Sequence, residues 1–376
     1  MPDLTLVLLG AGKSTRFGCK TKKQWIRVGD DPLWFYLAKK LEEIIKNIKI
    51  IIVSDEADIK YMKNYASYIF VKGGSERQES LSNALREVES EFVLVTDIAR
   101  ACIDDKIIKE LIEKRGKADV IVPYIGVNDT VHFNSRPIDR NGVKLIQTPQ
   151  LSKTKILKKV LSKDKLYTDE SSAILDNGGS ICYIDGSKSA HKLTFFDDLS
   201  HLDCLTPPSN ESFVGFGYDV HPFEKGKKMF LGGVEIEFDS GFRAHSDGDV
   251  ALHALIDSLL GAIGAGDIGE IFPDSDDNYK DIDSKILLQK VASFISRVGY
   301  EIINCDITIC AEVPKISPYK DKMRKSISGI LGLAMQKINI KATTTEKLGF
   351  VGKKEGVSVY ATSLLRYSDW TKEADK

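Results

Sequence analysis

Short apolar runs alternate with helical stretches over the first half of the chain, and this alternation limits the fold more than any other feature. The strand-like runs are Leu4 to Leu9, Ile48 to Val53, Tyr68 to Val71, Phe92 to Thr96 and Asp119 to Pro123. The helical stretches between them are Leu33 to Ile48, Glu76 to Val88 and Asp105 to Arg115. Strands and helices in turn predict βαβ units, hence an α/β domain with a mostly parallel sheet that binds ligands at the carboxyl ends of its strands.

The length, the charge balance and the cysteine content limit the class of protein. At 376 residues the chain is too long for one compact core, which predicts two or three domains. Lysine and arginine number 53 against 54 aspartates and glutamates, so the charge balance predicts neither a nucleic-acid partner nor an anionic membrane surface. The six cysteines form no Cys-x-x-Cys pair and no regular framework, which predicts reduced thiols in a cytoplasmic protein. The run from Leu4 to Leu9 is too short for a signal segment or a membrane span.

The helical and strand periodicity lapses around residues 204–211, where two prolines lie among polar residues. This predicts a short stiff linker at 205–211 between a first domain at 1–204 and a second at 212–376. Strands in the second part are predicted at Phe213 to Phe216, Val234 to Phe238, Glu301 to Ala311, Ile338 to Thr343 and Gly356 to Leu365, and helices from Asp247, near Asp283 to Val298 and near Pro318 to Leu331. That mixture predicts a smaller α+β domain whose sheet is covered on one side by helices.

A glycine turn follows the first predicted strand, Gly10-Ala-Gly-Lys-Ser-Thr-Arg-Phe-Gly18, and it carries Lys13 and Arg16. Backbone N–H groups in such a turn, with cations behind them, form a cradle for phosphate. Neither common nucleotide motif fits, because a P-loop needs a glycine where Val7 stands and a dinucleotide fingerprint needs one at Thr15. The turn predicts a phosphate site of another kind, and a solvated basic turn without a ligand is the alternative.

Further motifs follow the turn in order along the first half. They are Arg16 with Lys23-Gln24, Gly73-Gly-Ser-Glu-Arg-Gln-Glu-Ser80, Asp97-Ile-Ala-Arg100, Asp139-Arg140, Gln147-Thr-Pro-Gln150 and Lys192 ahead of Asp197-Asp-Leu. Over residues 3 to 203 this ordered set resembles the nucleotidyltransferases, in particular the 2-C-methyl-D-erythritol 4-phosphate cytidylyltransferases. The resemblance implies a Rossmann-like domain that transfers CMP from CTP to methylerythritol phosphate and releases pyrophosphate.

That reaction spreads negative charge over the oxygens around the α-phosphorus. The resemblance implies that Arg16 and Lys23 neutralise this charge, and that Mg²⁺ bridges phosphate oxygens with Asp97 on the ion or the nucleotide. It also implies that Arg140 and Lys192 position the sugar phosphate. Further contacts in the nucleotide cleft are assigned to Gly12, Gly73, Gly74, Ser80, Arg100 and Thr148.

Some features of this half leave alternatives open. Arg77 and Arg100 pair with nearby carboxylates in the structural alternative to a binding role. Ser14 stands where the family usually has glycine, which reaches positive φ far more easily, so the path of the loop is in question. Ala101 stands where the family usually has proline.

The second half gathers three of the six histidines, with several aspartates, between Gly217 and His253. Asp219 and His221 are two residues apart, so on a strand both side chains leave by one face. His253 lies in an amphipathic helix pattern whose predicted cap is Ser246 or Asp247. A strand and a helix can thus present two histidines and a carboxylate to one ion, which is the ligand set of an open zinc site. The alternative is three ordinary core or surface residues.

The second half carries its own ordered motifs. They are Asp219-Val-His221, Leu231-Gly-Gly-Val234, His245-Ser-Asp-Gly-Asp-Val, Gly266-Asp-Ile-Gly269, Phe272-Pro-Asp, Pro314-Lys315 and Ala342-Thr-Thr-Thr-Glu-Lys-Leu-Gly-Phe350. Over residues 213 to 367 they look like those of the 2-C-methyl-D-erythritol 2,4-cyclodiphosphate synthases, in which a 2-phosphate attacks a β-phosphorus and CMP leaves. Lys353 departs from the family's arginine, which keeps the charge but not the bidentate fork.

The resemblance implies roles for these residues. Zn²⁺ would bind Asp219, His221 and His253, and a second ion, Mg²⁺ or Mn²⁺, would bridge the diphosphate. His245 and Thr344 would donate hydrogen bonds to the developing charge. The residues assigned to substrate contacts are Ser246, Asp267, Ile268, Gly269, Phe272, Asp276, Pro314, Lys315, Thr343, Thr345, Glu346, Phe350 and Lys353.

Together the two resemblances predict a bifunctional enzyme of the methylerythritol phosphate pathway to isoprenoid precursors, acting on CTP and methylerythritol phosphates. Because the first family forms dimers and the second trimers with sites between subunits, the chain is expected to form a homo-oligomer, which can close as a hexamer. A nucleotide-sensing protein with degraded catalysis is one alternative. A P-loop kinase joined to a metal hydrolase is another.

Overall fold

The computed structural model describes residues 3–162, 165–273, 275–276, 279 and 282–372. They divide into a first unit that runs to Pro208 and includes residues 369–372, and a second unit at Ser209–Ser368. The division falls inside the segment 205–211 that the sequence predicts as a linker. The indole of Trp370 donates a hydrogen bond of 2.8 Å to the carbonyl of Arg27 in the first unit. The assignment of the whole C terminus to the second domain is therefore wrong for residues 369–372.

The first unit is built on a mostly parallel sheet, as the alternating pattern predicts. Its strands and short ribbons are β1 Leu4–Leu9, β2 Arg27–Val28, β3 Asp31–Pro32, β4 Lys49–Ser54, β5 Ile69–Lys72, β6 Phe92–Asp97, β7 Val120–Gly126, β8 Val131–Phe133, β9 Arg136–Ile138, β10 Lys144–Ile146, β11 Gln150–Lys153 and β12 Ile181–Asp185. The sheet order is β10-β7-β11-β6-β1-β4-β5, with β12 parallel to β7. Strands β6, β1, β4 and β5 are mutually parallel, whereas β11 and β10 run antiparallel to their neighbours. The carboxyl ends of the parallel strands therefore meet at one edge.

Helices cover this sheet. They are α1 Leu33–Ile44, α2 Glu56–Met62, α3 Arg77–Leu85, α4 Asp105–Glu113, α5 Thr154–Leu161 and α6 Glu170–Asp176. The side chains of Val7, Ile51 and Val93 are fully buried and pack with α3 and α5 in one core cluster. The three helices predicted from periodicity are present, and each is shorter than predicted, because apolar residues beyond the helix ends, such as Val88 and Ile48, are also buried in the core and so extended the pattern.

The second unit is an α+β domain, as predicted. Its strands are β13 Ser212–Lys225, β14 Met229–Leu231, β15 Val234–Ile236, β16 Ser240–Phe242, β17 Tyr300–Cys310, β18 Ile338–Thr343 and β19 Gly356–Tyr367. Its helices are α7 Val250–Ala262, α8 Ile268–Ile271, α9 Ser284–Arg297, α10 Lys320–Leu331 and α11 Gly349–Gly352. The main sheet has the order β16-β13-β19-β17-β18, in which β17 and β18 are parallel and the other neighbours are antiparallel.

Helix α7 lies directly on β13, and two glycines make this possible. A Cβ on Gly215 would lie 1.7 Å from the carbonyl oxygen of Ser258, and one on Gly217 would lie 1.9 Å from that of Ala254. Any larger residue would push the helix away from the strand. Because residues of like parity share a face of a strand, Asp219 and His221 point to the same side as these glycines, toward α7.

The N-cap of α7 is Asp249, so the prediction of Ser246 or Asp247 is wrong. The carboxylate of Asp249 accepts hydrogen bonds from the N–H of Leu252 at 3.0 Å and from Gly232 and Gly233 at 2.8 and 2.6 Å. These distant glycine donors explain the choice, because they compensate the full burial of the carboxylate. Helix α7 is also buried on almost all sides rather than amphipathic.

Cys102 and Cys204 form a disulfide within the first unit, with their Cα atoms 5.5 Å apart. The prediction that all cysteines are reduced is therefore wrong for this pair. The two residues are 102 positions apart in sequence, so no local spacing could reveal the pairing. Among the helices that the structure describes, none combines the length and the apolar character needed to cross a membrane.

Candidate active sites

A cleft of about 350 Å³ opens in the first unit where β1 and β6 end. The glycine turn after β1 forms one wall, and the segment leading into α3 forms another. This is the strand edge at which parallel sheets bind ligands. The predicted residues that line the cleft are Gly12, Arg16, Lys23, Gly74, Ser80, Asp97 and Lys192.

Five cationic side chains line this cleft, namely Lys13, Arg16, Lys23, Arg77 and Lys192. Burial lowers the pKa of Lys23, and the charges of Lys192 and Arg16 lower it further. The ammonium of Lys23 also donates to the carbonyl of Leu193 at 3.1 Å, which holds it at the cleft wall. Mutually repelling cations in a partly buried cleft favour an anionic ligand that would relieve the repulsion.

Asp97 lies at the floor of the cleft, at the end of β6. Its Oδ2 accepts a hydrogen bond of 2.6 Å from Nζ of Lys192, and its Oδ1 accepts one of 3.3 Å from Nε of Arg77. Burial by itself raises the pKa of Asp97, but Arg77 and Lys192 outweigh that effect, so the pKa lies below its ordinary value. Asp97 is therefore an ionised carboxylate that links two cations.

Arg77 extends this network of ion pairs into the core. Its Nη1 donates a hydrogen bond of 2.7 Å to Oε1 of Glu170, a fully buried residue at the start of α6. Burial raises the pKa of Glu170, and the charge of Arg77 offsets part of the increase. The structure thus places Arg77 as the partner of two carboxylates, which is the structural alternative that the sequence left open.

The loop that carries Arg16 has the path a glycine would take. Ser14 adopts φ 55° and ψ 24°, in the left-handed region. Its Oγ lies 3.4 Å from the backbone N–H of Lys23 and accepts a hydrogen bond from it. The departure at Ser14 therefore leaves the loop in place, with a strained residue at its centre.

Other predicted residues of the first site lie beside or beyond the cleft rather than among its lining residues. Gly73 packs at its edge, next to Ala11 and Ser80. Thr148 is buried behind it, where its Oγ1 accepts from the N–H of Asp97 at 3.5 Å. Nη1 of Arg100 donates to the carbonyl of Ala190 at 2.5 Å.

Arg140 is separated from the cleft. It lies in an exposed turn that follows the ribbon of β8 and β9, and Nη1 donates to the carbonyl of Asn128. The side chains around this turn include exposed apolar residues, namely Phe133, Ile138 and Leu145. We call residues 131–146 the arm. Among the described residues, the lining of the cleft in the same chain includes none from the arm.

A second cavity, of about 310 Å³, lies in the second unit between β13, α7 and α8. The predicted residues that line it are Asp219, His221, His245, Ser246, His253, Ile268, Gly269, Phe272 and Asp276. Asp267 lies at its edge, where Oδ1 caps α8 by accepting from the N–H of Glu270 at 2.9 Å. This agrees with the order of the sequence motifs from 219 to 276.

Asp219, His221 and His253 form the ligand cluster that the sequence predicts. One donor atom of each lies within 4.8 Å of the others. Oδ2 of Asp219 is 3.1 Å from Nδ1 of His221 and 3.2 Å from Nδ1 of His253. Burial raises the pKa of Asp219, but the two histidines outweigh it and hold the pKa well below the ordinary value.

The cluster fits a divalent metal ion. Among the described residues, Nδ1 of His221 is buried without a hydrogen-bond partner, although Oδ2 of Asp219 lies 3.1 Å away. An ion between the three donors would satisfy this nitrogen. Two imidazoles and one carboxylate are the protein ligands of zinc sites that keep a position open for substrate.

The remaining predicted residues of the second site lie elsewhere on the same sheet edge. Asp219 is paired with Val359, Val359 with Ile309, and Ile309 with Ala342. Three strand spacings, or about 14 Å, therefore separate the cluster from the end of β18. The predicted residues in or beside this second group, which we call the threonine edge, are Pro314, Lys315, Thr343, Thr344, Thr345, Glu346, Phe350 and Lys353. In the part of the chain that the structure describes, the cavity lining includes none of them.

The threonine edge is held by its own contacts. Oε1 of Glu312 accepts from the N–H groups of Thr345 and Lys347 at 3.2 and 3.1 Å. Oγ1 of Thr344 donates to Oε1 of Glu346 at 3.0 Å. The side chains of Thr344, Glu346, Phe350 and Lys353 are exposed.

Sequence reasoning missed several residues around the two sites. Glu170 is 93 positions from Arg77, and no local pattern connects them. Asp257, which lines the second cavity and accepts from the N–H of Ile268 at 2.9 Å, follows His253 by one helical turn. That i, i+4 spacing would have predicted it. Ser284, which contacts His253, had no signal beyond its place at the start of a helix.

Comparisons with known proteins match both units. The family described as 2-C-methyl-D-erythritol 4-phosphate cytidylyltransferase matches residues 4–205, and the YgbB family matches residues 212–366. A bifunctional enzyme IspD/IspF of Sulfurimonas denitrificans is 54% identical over 98% of this chain and 96% of its own length. One of Aliarcobacter butzleri is 52% identical over 99% of this chain and 100% of its own. The bifunctional IspDF structure from Campylobacter jejuni aligns with TM-score 0.89 at 46% identity, covering 98% of this chain and 100% of that one.

Proposed function

We propose residue roles for two sites on the premise that this chain belongs to the family of bifunctional IspD/IspF enzymes. Its first domain is a cytidylyltransferase that makes 4-diphosphocytidyl-2-C-methyl-D-erythritol and pyrophosphate from CTP and 2-C-methyl-D-erythritol 4-phosphate. Its second domain is a cyclodiphosphate synthase of the same isoprenoid pathway, which closes 2-C-methyl-D-erythritol 2,4-cyclodiphosphate and releases CMP. No observation favours a nucleotide sensor or a P-loop kinase.

The cluster of Arg16, Lys23 and Lys192 in one cleft supports the roles in the first domain. A phosphate oxygen of the sugar substrate forms a bond to the α-phosphorus of CTP while the bond to pyrophosphate breaks. Arg16 and Lys23 neutralise the leaving pyrophosphate, since they lie on the glycine turn and beside it. Lys192, which is fixed by Asp97, binds the attacking phosphate. Gly12, Gly74 and Ser80 line the nucleotide side.

Asp97 is the candidate ligand for Mg²⁺ in this cleft. Each of its oxygens accepts one hydrogen bond and keeps a further lone pair. Mg²⁺ commonly binds one carboxylate together with substrate phosphates, and Asp97 at the floor of the cationic cleft suits that role. The ion would supply charge neutralisation at the phosphate oxygens.

Arg140 acts, in our proposal, in the cleft of a second copy of the chain. It is absent from the cleft lining of its own chain, and the arm that carries it exposes Phe133, Ile138 and Leu145. Burying these apolar side chains against another copy would stabilise a dimer and bring the guanidinium to the partner's cleft.

The ligand cluster supports the roles in the second domain. Asp219, His221 and His253 would hold Zn²⁺, whose charge would polarise a substrate phosphate. His245 and Ser246 line the same cavity and donate hydrogen bonds to the phosphate that develops charge. Asp267, with the backbone of Ile268 and Gly269, binds the erythritol hydroxyls. Phe272 and Asp276 close the far wall.

The threonine edge completes this site from a neighbouring copy. Within one chain it lies about 14 Å from the ligand cluster, too far for one diphosphate to touch both. A second copy would bring Thr344 and Glu346 to the cluster, Glu346 for a second Mg²⁺ or Mn²⁺ on the diphosphate and Thr344 as a donor. Lys315 and Lys353 would then bind the cytidine phosphates.

The outer face of the sheet supports this assembly. Val214, Phe216, Tyr218 and Val220 alternate along β13 on the face opposite α7, and each is more than 40% exposed. The ring of Tyr360 on β19 lies 4.9 Å from that of Tyr218, so the patch continues across strands. A continuous apolar sheet face beside an incomplete site predicts an oligomer closed around that face. We also propose a cytoplasmic location, because CTP is a cytoplasmic nucleotide.

Two variants test the proposal in one chain. Arg16→Ala is expected to lower cytidylyl transfer on the order of 100-fold, because it removes a charge from the transition state, and to leave cyclisation unchanged. His253→Ala is expected to abolish cyclisation and to leave cytidylyl transfer unchanged. Lys20→Ala is the matched control for Arg16, because it removes an exposed cation near the loop that is absent from the lining. Loss of both activities in either variant, or of neither, would contradict the assignment.

A further inference from the structure

The imidazole of His253 presents its two nitrogens to different neighbours. Nδ1 is 3.2 Å from Oδ2 of Asp219, on the side of the ligand cluster. Nε2 is 2.9 Å from Oγ of Ser284 and 3.1 Å from Oγ of Ser246. The protonation of Nε2 therefore depends on what these hydroxyls can accept or donate.

The hydroxyl proton of Ser284 takes part in a hydrogen bond to Asp247. Oγ of Ser284 lies 2.5 Å from Oδ1 of Asp247, a carboxylate oxygen that accepts and does not donate. Ser284 has a single hydroxyl proton, so toward His253 its oxygen can only accept. This arrangement places a proton on Nε2 and leaves the lone pair of Nδ1 for a metal ion.

The position of Ser284 is fixed from two sides. It is fully buried as the first residue of α9, and its backbone N–H donates to Oδ2 of Asp247 at 3.1 Å. Asp247 is held in turn, because its Oδ1 accepts from the N–H of Asp249 at 3.2 Å and its N–H donates to the carbonyl of Ile282 at 3.1 Å. The relay from Asp247 through Ser284 to His253 thus has little freedom.

We propose that Ser284, supported by Asp247, is a positioning residue that selects the tautomer and the ring orientation of His253 for the metal ion. This inference rests on the proposed metal site at Asp219, His221 and His253. Hydrogen-bond partners behind a ligating histidine typically change metal affinity about 10–100-fold when they are removed. Ser284 lies outside every motif that carries the family resemblance.

The test measures the affinity of the full chain for Zn²⁺ alone, by competition with a fluorescent zinc chelator. Ser284→Ala is expected to weaken zinc binding by about 10–100-fold. Asp247→Ala is expected to weaken it as well, because the hydroxyl of Ser284 would lose its acceptor and turn toward Nε2 of His253.

Ser258→Ala is the matched control. Ser258 is a fully buried serine on the same helix as His253, and its hydroxyl donates only within that helix, to the carbonyl of Leu255 at 2.8 Å. It should keep the zinc affinity of the wild-type chain. Thermal unfolding of the metal-free variants and the cytidylyl transfer rate of the first domain show whether each variant is folded.

A spectroscopic readout separates the tautomer from general stability. In the zinc-loaded protein with ¹⁵N-labelled histidine, the His253 signals should show a proton on Nε2 and metal on Nδ1. Asp247→Ala should lose this pattern even where zinc is supplied in excess.

Each outcome decides between the claims. Wild-type zinc affinity in a folded Ser284→Ala protein, or equal losses in Ser284→Ala and Ser258→Ala, would overturn the relay and leave the metal site standing. Equal zinc binding by the wild-type chain and His253→Ala would overturn the metal site and the relay together.

Discussion

The two sites of this chain differ in how much of each a single copy contains. The first cleft brings Arg16, Lys23, Lys192 and Asp97 together at one sheet edge, whereas Arg140 lies in an exposed turn outside the lining. The second site is divided, because the ligand cluster and the threonine edge lie three strands apart on one sheet. One copy thus brings most of the predicted residues of the first site together, but it separates those of the second site into two groups.

This difference follows from the two sheets. In a parallel sheet the carboxyl ends of successive strands converge, so residues from distant segments meet at a single cleft. In the mainly antiparallel second sheet, β13 and β18 end at the same edge with β19 and β17 between them. Within one copy the loops that follow them are therefore about 14 Å apart.

The largest expected effect tests this division directly. His253→Ala and Thr344→Ala should each cyclise poorly alone, because one lacks a metal ligand and the other a donor worth about 100-fold or more. When the two variants are co-expressed and purified as mixed oligomers by two affinity tags, sites with both intact halves should form at random. Cyclisation should return to about a quarter of the wild-type rate.

A matched pair of variants on one side of the division provides the control. His253→Ala mixed with Asp219→Ala should stay inactive, because every site then lacks a metal ligand. Recovery in this control, or no recovery in the first mixture while mixed oligomers form, would show that the two halves do not meet between copies.

The next effect concerns how the first cleft is held within one copy. Arg77 joins Asp97 at the cleft to Glu170 in the core. Arg77→Met should leave the buried carboxylate of Glu170 without a cation and lower the unfolding free energy of the first domain by about 3 kcal/mol at neutral pH. Urea unfolding measures the change.

The pH dependence of this loss has a definite sign. Burial raises the pKa of Glu170 in the folded state above its ordinary value of 4.5, and removal of Arg77 takes away the charge that offsets part of this increase. Below pH 4.5 the carboxyl is protonated in both states and the deficit of Arg77→Met should be small. It should grow as the pH rises toward the folded pKa. Adding Glu170→Gln to Arg77→Met should restore most of the lost unfolding free energy.

An exposed ion pair provides the comparison. Arg366→Met breaks the pair with Glu301 and should lower the unfolding free energy by less than about 1 kcal/mol.

The sequence predicted what is local and buried in each domain. The runs that became β1, β4 and β6 are mainly apolar and almost fully buried, so composition alone identified them. The antiparallel strand β11 was missed, because its buried residues include Gln150 and Ser152, whose polar side chains give no strand signal.

Site residues follow the same rule. The cluster of Asp219, His221 and His253 was predictable, since strand and helix periodicity placed each side chain. The pairing of Arg77 with Glu170 was not, because it depends on how separate helices pack over the sheet. The distance between the ligand cluster and Thr344 was hidden too, because sequence order does not reveal the order of strands in a sheet.

The smallest expected effect concerns the loop of the first cleft and compares two variants at one position. Ser14→Gly and Ser14→Ala both remove the hydroxyl that accepts from the N–H of Lys23, so they differ from each other in backbone energetics and not in that hydrogen bond. For alanine the left-handed conformation at φ 55° costs about 1 kcal/mol of conformational free energy, whereas glycine adopts that region freely. Ser14→Gly should therefore be more stable than Ser14→Ala by somewhat less than about 1 kcal/mol, because glycine also loses more entropy on folding. Urea unfolding of both variants measures the difference, and equal stability would mean that the loop leaves the left-handed region once the hydroxyl is gone.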